Sequence, residues 1–289
     1  MSEYRGMIYA GIMTLSQRNI YFRTGIITCG LSLLLIIAAA YIVSPAYPQV
    51  LAQSAIRSSG IFPSIIKNIL TPSPNVPFAA ILAAAVYALA GIILIYFYFE
   101  KTHSPEILFI SLFIVSMALE SARITLPLRK ILDISNSYVI YSYRILIFGR
   151  FFGLFSLFVA SICTAGLKIQ KEHNIVIVTA MAALIIAMGI PVDGLAWDST
   201  MSMLSGYSST LVMIELSILG ITIASFLISA YTRGSKNYLY IGLGALLTYL
   251  GRGILLNSDT WITPAPGLII LTWGTWIICT KFHSIYLWL

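Results

Sequence analysis

Eight long apolar stretches constrain this chain more than any other feature of its sequence. The hydrocarbon core of a bilayer is about 30 Å thick, and a helix of about 20 residues crosses it. In lipid every backbone polar group must be hydrogen-bonded within the protein, which a helix achieves by itself. The sequence therefore predicts an all-α, polytopic membrane bundle with about eight transmembrane helices. The predicted spans are 25–44, 78–99, 107–124, 139–167, 174–191, 210–231, 238–256 and 266–284.

Composition supports the membrane class. Only 9% of the residues are charged and 59% are hydrophobic, whereas about a quarter of the residues of a soluble domain are charged. The third and seventh stretches contain charged residues, which weaken them as spans, so a bundle of seven spans is the alternative. The net charge of +7 does not indicate nucleic-acid binding, because most of the basic residues flank spans, where topology and lipid headgroups account for them.

The basic residues also predict an orientation. With the N-terminus in the cytoplasm, nine lysines and arginines fall on the cytoplasmic side and four in outer connections, as the positive-inside rule requires. Both termini are then cytoplasmic. The inner set is Arg5, Arg18, Arg23, Lys101, Lys168, Lys171, Arg233, Lys236 and Lys281, and the outer set is Arg57, Lys67, Arg129 and Lys130.

One membrane domain accounts for nearly the whole chain. Residues 1–24 are expected to form a cytoplasmic N-terminal segment, and residues 25–289 a single transmembrane helical domain. The longest connection, at about 45–77, mixes apolar residues with Arg57 and Lys67 between prolines. That pattern is typical of an amphipathic element lying on the outer membrane surface.

Six charged residues lie inside the predicted spans. A charge near a bilayer centre costs roughly 2.5 to 3.5 kcal/mol on insertion scales, so such residues usually face a bundle interior or a cavity and have a partner. They are the best indication of a polar site in this sequence. The six are Glu120, Arg123, Arg144, Arg150, Glu215 and Arg252.

Five of the six charges are expected at one depth. Each helical residue advances about 1.5 Å, and the predicted orientation places all but Arg150 in the outer third of the membrane. Glu120 and Arg123 are three residues apart, so they share a helix face and are expected to pair. The other three, Arg144, Glu215 and Arg252, need partners on other helices, and Glu215 can neutralise one arginine.

Arg150 is expected near the middle of the membrane, too deep to reach water without a cavity. It is therefore the first candidate for a functional or core-organising residue, with Glu215 and Arg252 next. The six charges include four arginines, and this surplus suits an anionic group such as a carboxylate or phosphate. For the set as a whole the sequence favours structural ion pairing, with arginines extending to the outer headgroups, because charges near the ends of spans reach them easily.

No cofactor or metal is predicted. The cysteines and histidines show no metal-ligand spacing and no arrangement for haem, and no span has a central lysine for a retinal Schiff base. These residues are Cys29, Cys163, Cys279, His103, His173 and His283.

The region 78–284 resembles bacterial seven-helix transmembrane sensor modules. The similarity lies in its architecture and in the segments Ala-Leu-Glu-Ser-Ala-Arg at 118–123 and Phe-Gly-Arg-Phe-Phe at 148–152. The resemblance implies a sensor-like protein of the bacterial cytoplasmic (inner) membrane. Such modules continue into an output domain, whereas this sequence ends at Leu289, so we expect any signal to pass through partner proteins.

Three functions are consistent with the sequence. The first is a non-enzymatic, sensor-like membrane protein or a membrane subunit of a larger assembly, with lipids, membrane protein partners and a small anionic ligand as its contacts. The second is a transporter or channel for a small anionic solute. The third is a membrane enzyme acting on lipid-linked phosphate, which ranks last because no nucleophile or metal set accompanies the arginines.

Overall fold

The computed structural model describes residues 15–43, 73, 75–99, 104–133, 135–166, 172–192, 198–203 and 207–287. Most of these residues are helical. The helices are α1 (Leu15–Val43), α2 (Asn75–Phe99), α3 (Pro105–Ala118), a 3₁₀ segment (Leu119–Ile124), α4 (Thr125–Leu132), α5 (Asn136–Thr164), α6 (Glu172–Gly189), α7 (Ser208–Arg233), α8 (Asn237–Leu256) and α9 (Pro264–Leu287).

The prediction of a helical membrane bundle with eight spans is confirmed in the part of the chain that the structure describes. Eight helical stretches are long and apolar enough to cross a membrane. One of them, Pro105–Arg129, runs through α3, the 3₁₀ segment and into α4. Residues 1–14 and nearly all of the connection at 45–77 lie outside the described residues, so the predicted surface element is not among them.

The first span begins earlier in the chain than its hydropathy indicates. α1 starts at Leu15, whereas the apolar run starts at residue 25. The added turns include Arg18, which is buried and donates a hydrogen bond of 2.9 Å to the backbone oxygen of Phe99 at the end of α2. A basic residue next to a span is thus part of the packed bundle here.

α3 lies at the centre of the bundle and α5 packs closely against it. Most of α3 is buried, and Ser104 caps its first turn by accepting a hydrogen bond from the Ile107 amide. A Cβ atom added at Gly149 would lie 2.9 Å from the Leu119 Cβ, and one at Gly153 would lie 2.4 Å from the Ser116 Oγ. The two glycines, four residues apart, let the α5 backbone approach α3.

A second close-packed pair consists of α8 and α9, which run antiparallel. A Cβ atom at Gly251 would lie 2.4 Å from the Leu271 amide nitrogen, and one at Gly267 would lie 2.6 Å from that of Leu255. Both neighbours are backbone atoms, so the two helices touch along their main chains. This contact fixes the position of Arg252, the residue after Gly251.

Polar contacts close the two ends of the bundle. We call them the Asn136 end, after the first residue of α5, and the Glu106 end, after a residue in the first turn of α3. At the Glu106 end, the Tyr286 hydroxyl donates to Glu106, which also accepts from the Ser104 hydroxyl. At the Asn136 end, the Ser73 amide donates to the backbone oxygen of Asp259 at 2.9 Å.

The sequence predicts that the Asn136 end faces away from the cytoplasm. We expect a cysteine introduced at Asn136 to react with a membrane-impermeant maleimide in intact cells. One at Ser235, on the opposite side, should react only after the cells are opened. Labelling in the reverse order would overturn the predicted orientation.

Candidate functional site

The 3₁₀ segment in the third span brings Glu120 and Arg123 together. A 3₁₀ helix has three residues per turn, so side chains three apart lie directly above one another. The Glu120 Oε2 and Arg123 Nε atoms are 2.8 Å apart, and both side chains are almost fully buried. The pairing expected from the spacing of these residues is present.

Two further arginines share the same carboxylate. The Glu120 Oε1 atom is 3.3 Å from the Arg150 Nε on α5 and 3.3 Å from the Arg252 Nη2 on α8. Arg252 also donates to the backbone oxygen of Arg150 at 3.3 Å. Glu120, Arg123, Arg150 and Arg252, which we call the Glu120 cluster, thus hold three spans together with one negative and three positive charges.

Arg123 extends this cluster to the Asn136 end of the bundle. Its Nη1 atom donates to the backbone oxygen of Leu256 at 2.7 Å and to that of Thr200 at 3.2 Å. The Leu256 oxygen belongs to the last turn of α8, where carbonyls lack helical partners. Arg123 therefore joins the 3₁₀ segment to α8 and to the connection at 198–203.

A cavity of about 480 Å³ lies beside the cluster, between α5, α7, α8 and the connection at 198–203. Its charged lining residues are Arg150, Arg252, Glu215 and Asp198. Apolar side chains such as Leu211 cover much of the rest of its wall. We call this space the Arg150 cavity.

The outer part of the Arg150 side chain faces this cavity without a partner. Only its Nε atom bonds to Glu120, and among the described residues no acceptor takes a hydrogen bond from its two Nη atoms. The side chain is 23% exposed, compared with 6% for Arg252. A guanidinium edge with free donors is thus directed at open space.

Glu215 lies on α7, across the cavity from Arg150. The two are beyond ion-pairing distance, so the pairing expected between Glu215 and an arginine is not found among the described residues. Instead the Tyr249 hydroxyl donates to the Glu215 Oε2 atom at 3.0 Å. Glu120 provides the negative charge for the arginines because α5 approaches the 3₁₀ segment closely and the long Arg252 side chain reaches Glu120 from α8.

Arg144 is not part of the cluster. Its Nη1 atom lies 3.4 Å from the Met188 Sδ on α6, and it does not line the cavity. Arg150 is six positions after Arg144, which places the two side chains about 120° apart around a helix with 3.6 residues per turn. The two arginines of α5 therefore face different neighbours.

Arg150 and Glu120 lie at the same level of the bundle, so the expected difference in depth between them is absent. The α5 backbone at Gly149 lies against Leu119, the residue before Glu120. The third span continues past residue 124 into α4, so Glu120 lies further from the end of its span than the predicted bounds indicate.

Several residues of this site were not identified from the sequence. Tyr249, Thr200 and Asp198 all touch the cluster or the cavity. Tyr249 lies three residues before Arg252, so it projects from a similar side of α8. That spacing is the one sequence feature that pointed to it.

The chemistry of the site is that of charge recognition. Among the described residues there is no group of three or more histidines, cysteines and acidic residues that could hold a metal ion. The groups that converge are guanidinium donors, carboxylate acceptors and a phenol hydroxyl. They suit hydrogen bonding and ion pairing with a polar ligand.

Comparison with known protein families, with curated proteins and with solved structures finds no match to this chain.

Proposed function

We propose that this protein is a non-enzymatic, sensor-like membrane component that binds the anionic group of a small ligand in the Arg150 cavity. The observation that carries this proposal is the free guanidinium edge of Arg150. A buried cation usually has its donors satisfied by protein groups. Here the two Nη atoms have no acceptor among the described residues, and Arg150 lines a cavity large enough for a small molecule.

The charge of the cluster supports an anionic ligand group. Glu120 is the carboxylate shared by Arg123, Arg150 and Arg252, so the cluster has three positive charges and one negative charge. An incoming carboxylate or phosphate accepts hydrogen bonds from the free Nη atoms of Arg150 and reduces the excess of positive charge. A guanidinium is well suited to this because its donors form a planar fork.

The position of the cavity favours binding over transport. Its lining residues come from the first half of α5, the first third of α7 and the last turns of α8. All of these lie toward the Asn136 end. A cavity confined to one end of the bundle suits a receptor for a ligand, whereas a solute pathway needs to continue to the other side.

Ligand binding is coupled to the rest of the bundle through Glu120. A ligand anion at Arg150 competes with Glu120 for the same guanidinium, and Glu120 also holds Arg123 and Arg252. Arg123 in turn holds the end of α8 and the connection at 198–203. In this proposal the ligand shifts the balance among these contacts, and membrane protein partners respond to the resulting change in α7 and α8.

The Arg150→Gln variant tests the proposal. We expect ethyl phosphate or propionate to raise the melting temperature of the purified protein in detergent. Arg150→Gln should raise the half-saturating concentration at least about tenfold, because a hydrogen bond to a charged group contributes about 1.5–3 kcal/mol. The variant should fold, since Glu120 keeps two arginines.

Arg144→Gln is the matched control, because Arg144 is an arginine of the same helix that lies outside the cavity. It should respond to the anions as the wild type does. If neither anion stabilises the wild type, or if both variants respond alike, the cavity is not an anion site and the proposed function fails.

A further inference from the structure

The Arg150 cavity contains a negative group with a free acceptor atom as well as a positive group with free donors. Glu215 accepts a hydrogen bond from Tyr249 on its Oε2 atom, and among the described residues its Oε1 atom has no donor. Glu215 is half-buried within the span Ser208–Arg233 and has no arginine or lysine at ion-pairing distance among the described residues. An ionised carboxylate in a span needs a counter-charge or water.

We propose that the ligand of this site is a zwitterion, with its carboxylate or phosphate at Arg150 and an ammonium group at Glu215. This inference rests on the proposed function and adds the second charge of the ligand. An ammonium group offers three donors and no acceptor. It therefore complements the free Oε1 atom of Glu215 and has no match at the arginine side of the cavity.

The charges of the cavity lining support a ligand without net charge. Arg150 and Arg252 contribute two positive charges, and Glu215 and Asp198 two negative charges. A purely anionic ligand adds a second negative charge beside half-buried Glu215, whose partner among the described residues is the neutral Tyr249 hydroxyl, and this costs free energy. A zwitterion provides a counter-charge to Arg150 and to Glu215 at the same time.

Asp198 is the less suitable of the two acids to bind the ammonium group. Its Oδ1 atom accepts hydrogen bonds from the Ser199 amide at 2.7 Å and the Ser199 hydroxyl at 3.3 Å. It also lies in an exposed connection, where water screens its charge. Glu215 has a free oxygen and sits deeper along α7, so it is the acid assigned to the ammonium group.

Two sources provide this chemistry, a small amino acid or the headgroup of a phospholipid. The cavity wall includes the apolar residues Leu211, Val212, Leu250 and Ile254. On α7, Val212 at the cavity wall is 51% exposed, and Leu216, one turn further along the helix, is 52% exposed. An acyl chain of a bound lipid can therefore continue from the cavity along this face, whereas an amino acid fills the polar part alone.

The experiment compares probes in pairs that differ only in the ammonium group. The pairs are β-alanine with propionate, O-phosphoethanolamine with ethyl phosphate, and lysophosphatidylethanolamine with lysophosphatidylethanol. Each is titrated against the melting temperature of the full chain in detergent, for the wild type, Glu215→Gln and Asp198→Asn. The wild type should bind the zwitterion of at least one pair about tenfold more tightly than its partner.

Glu215→Gln should abolish the preference for the zwitterion and keep the response to the anion, whereas Asp198→Asn should keep both. If the wild type prefers the zwitterion in the lysolipid pair alone, the ligand is a lipid headgroup. If it prefers the zwitterion in the soluble pairs, the ligand is a free small molecule. Equal affinity within every pair, or loss of the preference in Asp198→Asn instead of Glu215→Gln, overturns the zwitterion inference and leaves the proposed anion site standing. An absence of stabilisation by every anion overturns the proposed function itself.

Discussion

Glu120→Gln is expected to destabilise the protein more than any other substitution of a single charged residue. The change removes the one carboxylate that holds Arg123, Arg150 and Arg252, and leaves three guanidiniums close together in a buried place. Breaking a buried ion pair costs about 3–5 kcal/mol, and here three contacts lose their charge at once. Thermal unfolding in detergent, followed by size-exclusion chromatography, should show a large loss of folded protein.

Glu215→Gln is the matched control, because this residue also lies in a span but contacts Tyr249 instead of an arginine. Its free energy of unfolding should change by less than about 1 kcal/mol. Adding Arg252→Gln to Glu120→Gln should recover part of the lost stability, since it removes one of the repelling charges. If Glu120→Gln melts as the wild type does, the cluster does not hold the spans together.

Gly251→Ala is expected to have the second-largest effect. The new Cβ atom would lie 2.4 Å from the amide nitrogen and 2.7 Å from the Cα atom of Leu271. Backbone atoms of a helix cannot move aside as a flexible side chain does, so α8 and α9 must separate. Overpacking of this kind costs about 1–3 kcal/mol, and differential scanning fluorimetry in detergent should show a lower melting temperature.

Gly253→Ala, two residues further along the same helix, provides the control. A Cβ atom at Gly253 meets nothing within 4 Å. Alanine is the better helix former by up to about 1 kcal/mol, so this variant should melt at or above the wild-type temperature. Equal destabilisation by both alanines would show that α8 and α9 are not in main-chain contact at Gly251.

The helical spans could be predicted from the sequence because each depends on local hydropathy. A stretch of about 20 apolar residues has no stable alternative to a transmembrane helix. The prediction is confirmed even for the third and seventh spans, whose charged residues belong to the Glu120 cluster. Local hydropathy does not show that α1 begins ten residues earlier, because the contact between Arg18 and Phe99 joins residues 81 positions apart.

The site could be predicted only in part, because its members depend on how helices are rotated against one another. The pair of Glu120 and Arg123 followed from a spacing within one segment. The choice of Glu120 over Glu215 as the partner of Arg150 and Arg252 depends on the close approach at Gly149 and on the α8 position, which no local pattern specifies. The separation of Arg144 from Arg150 follows from helical periodicity alone, and a comparison of helix faces finds it.

Solid-state NMR can show directly whether a ligand anion lies against Arg150. Solid-state NMR on protein with ¹⁵N-labelled arginine side chains in vesicles can detect dipolar coupling to the ³¹P nucleus of ethyl phosphate or the ¹³C-labelled carboxyl of propionate. A hydrogen bond of about 3 Å to an anion oxygen brings guanidinium nitrogens close enough for this coupling. We predict coupling in the wild type and in Arg144→Gln and its loss in Arg150→Gln. No coupling in the wild type, or the same coupling in Arg150→Gln, would show that Arg150 does not bind the anion.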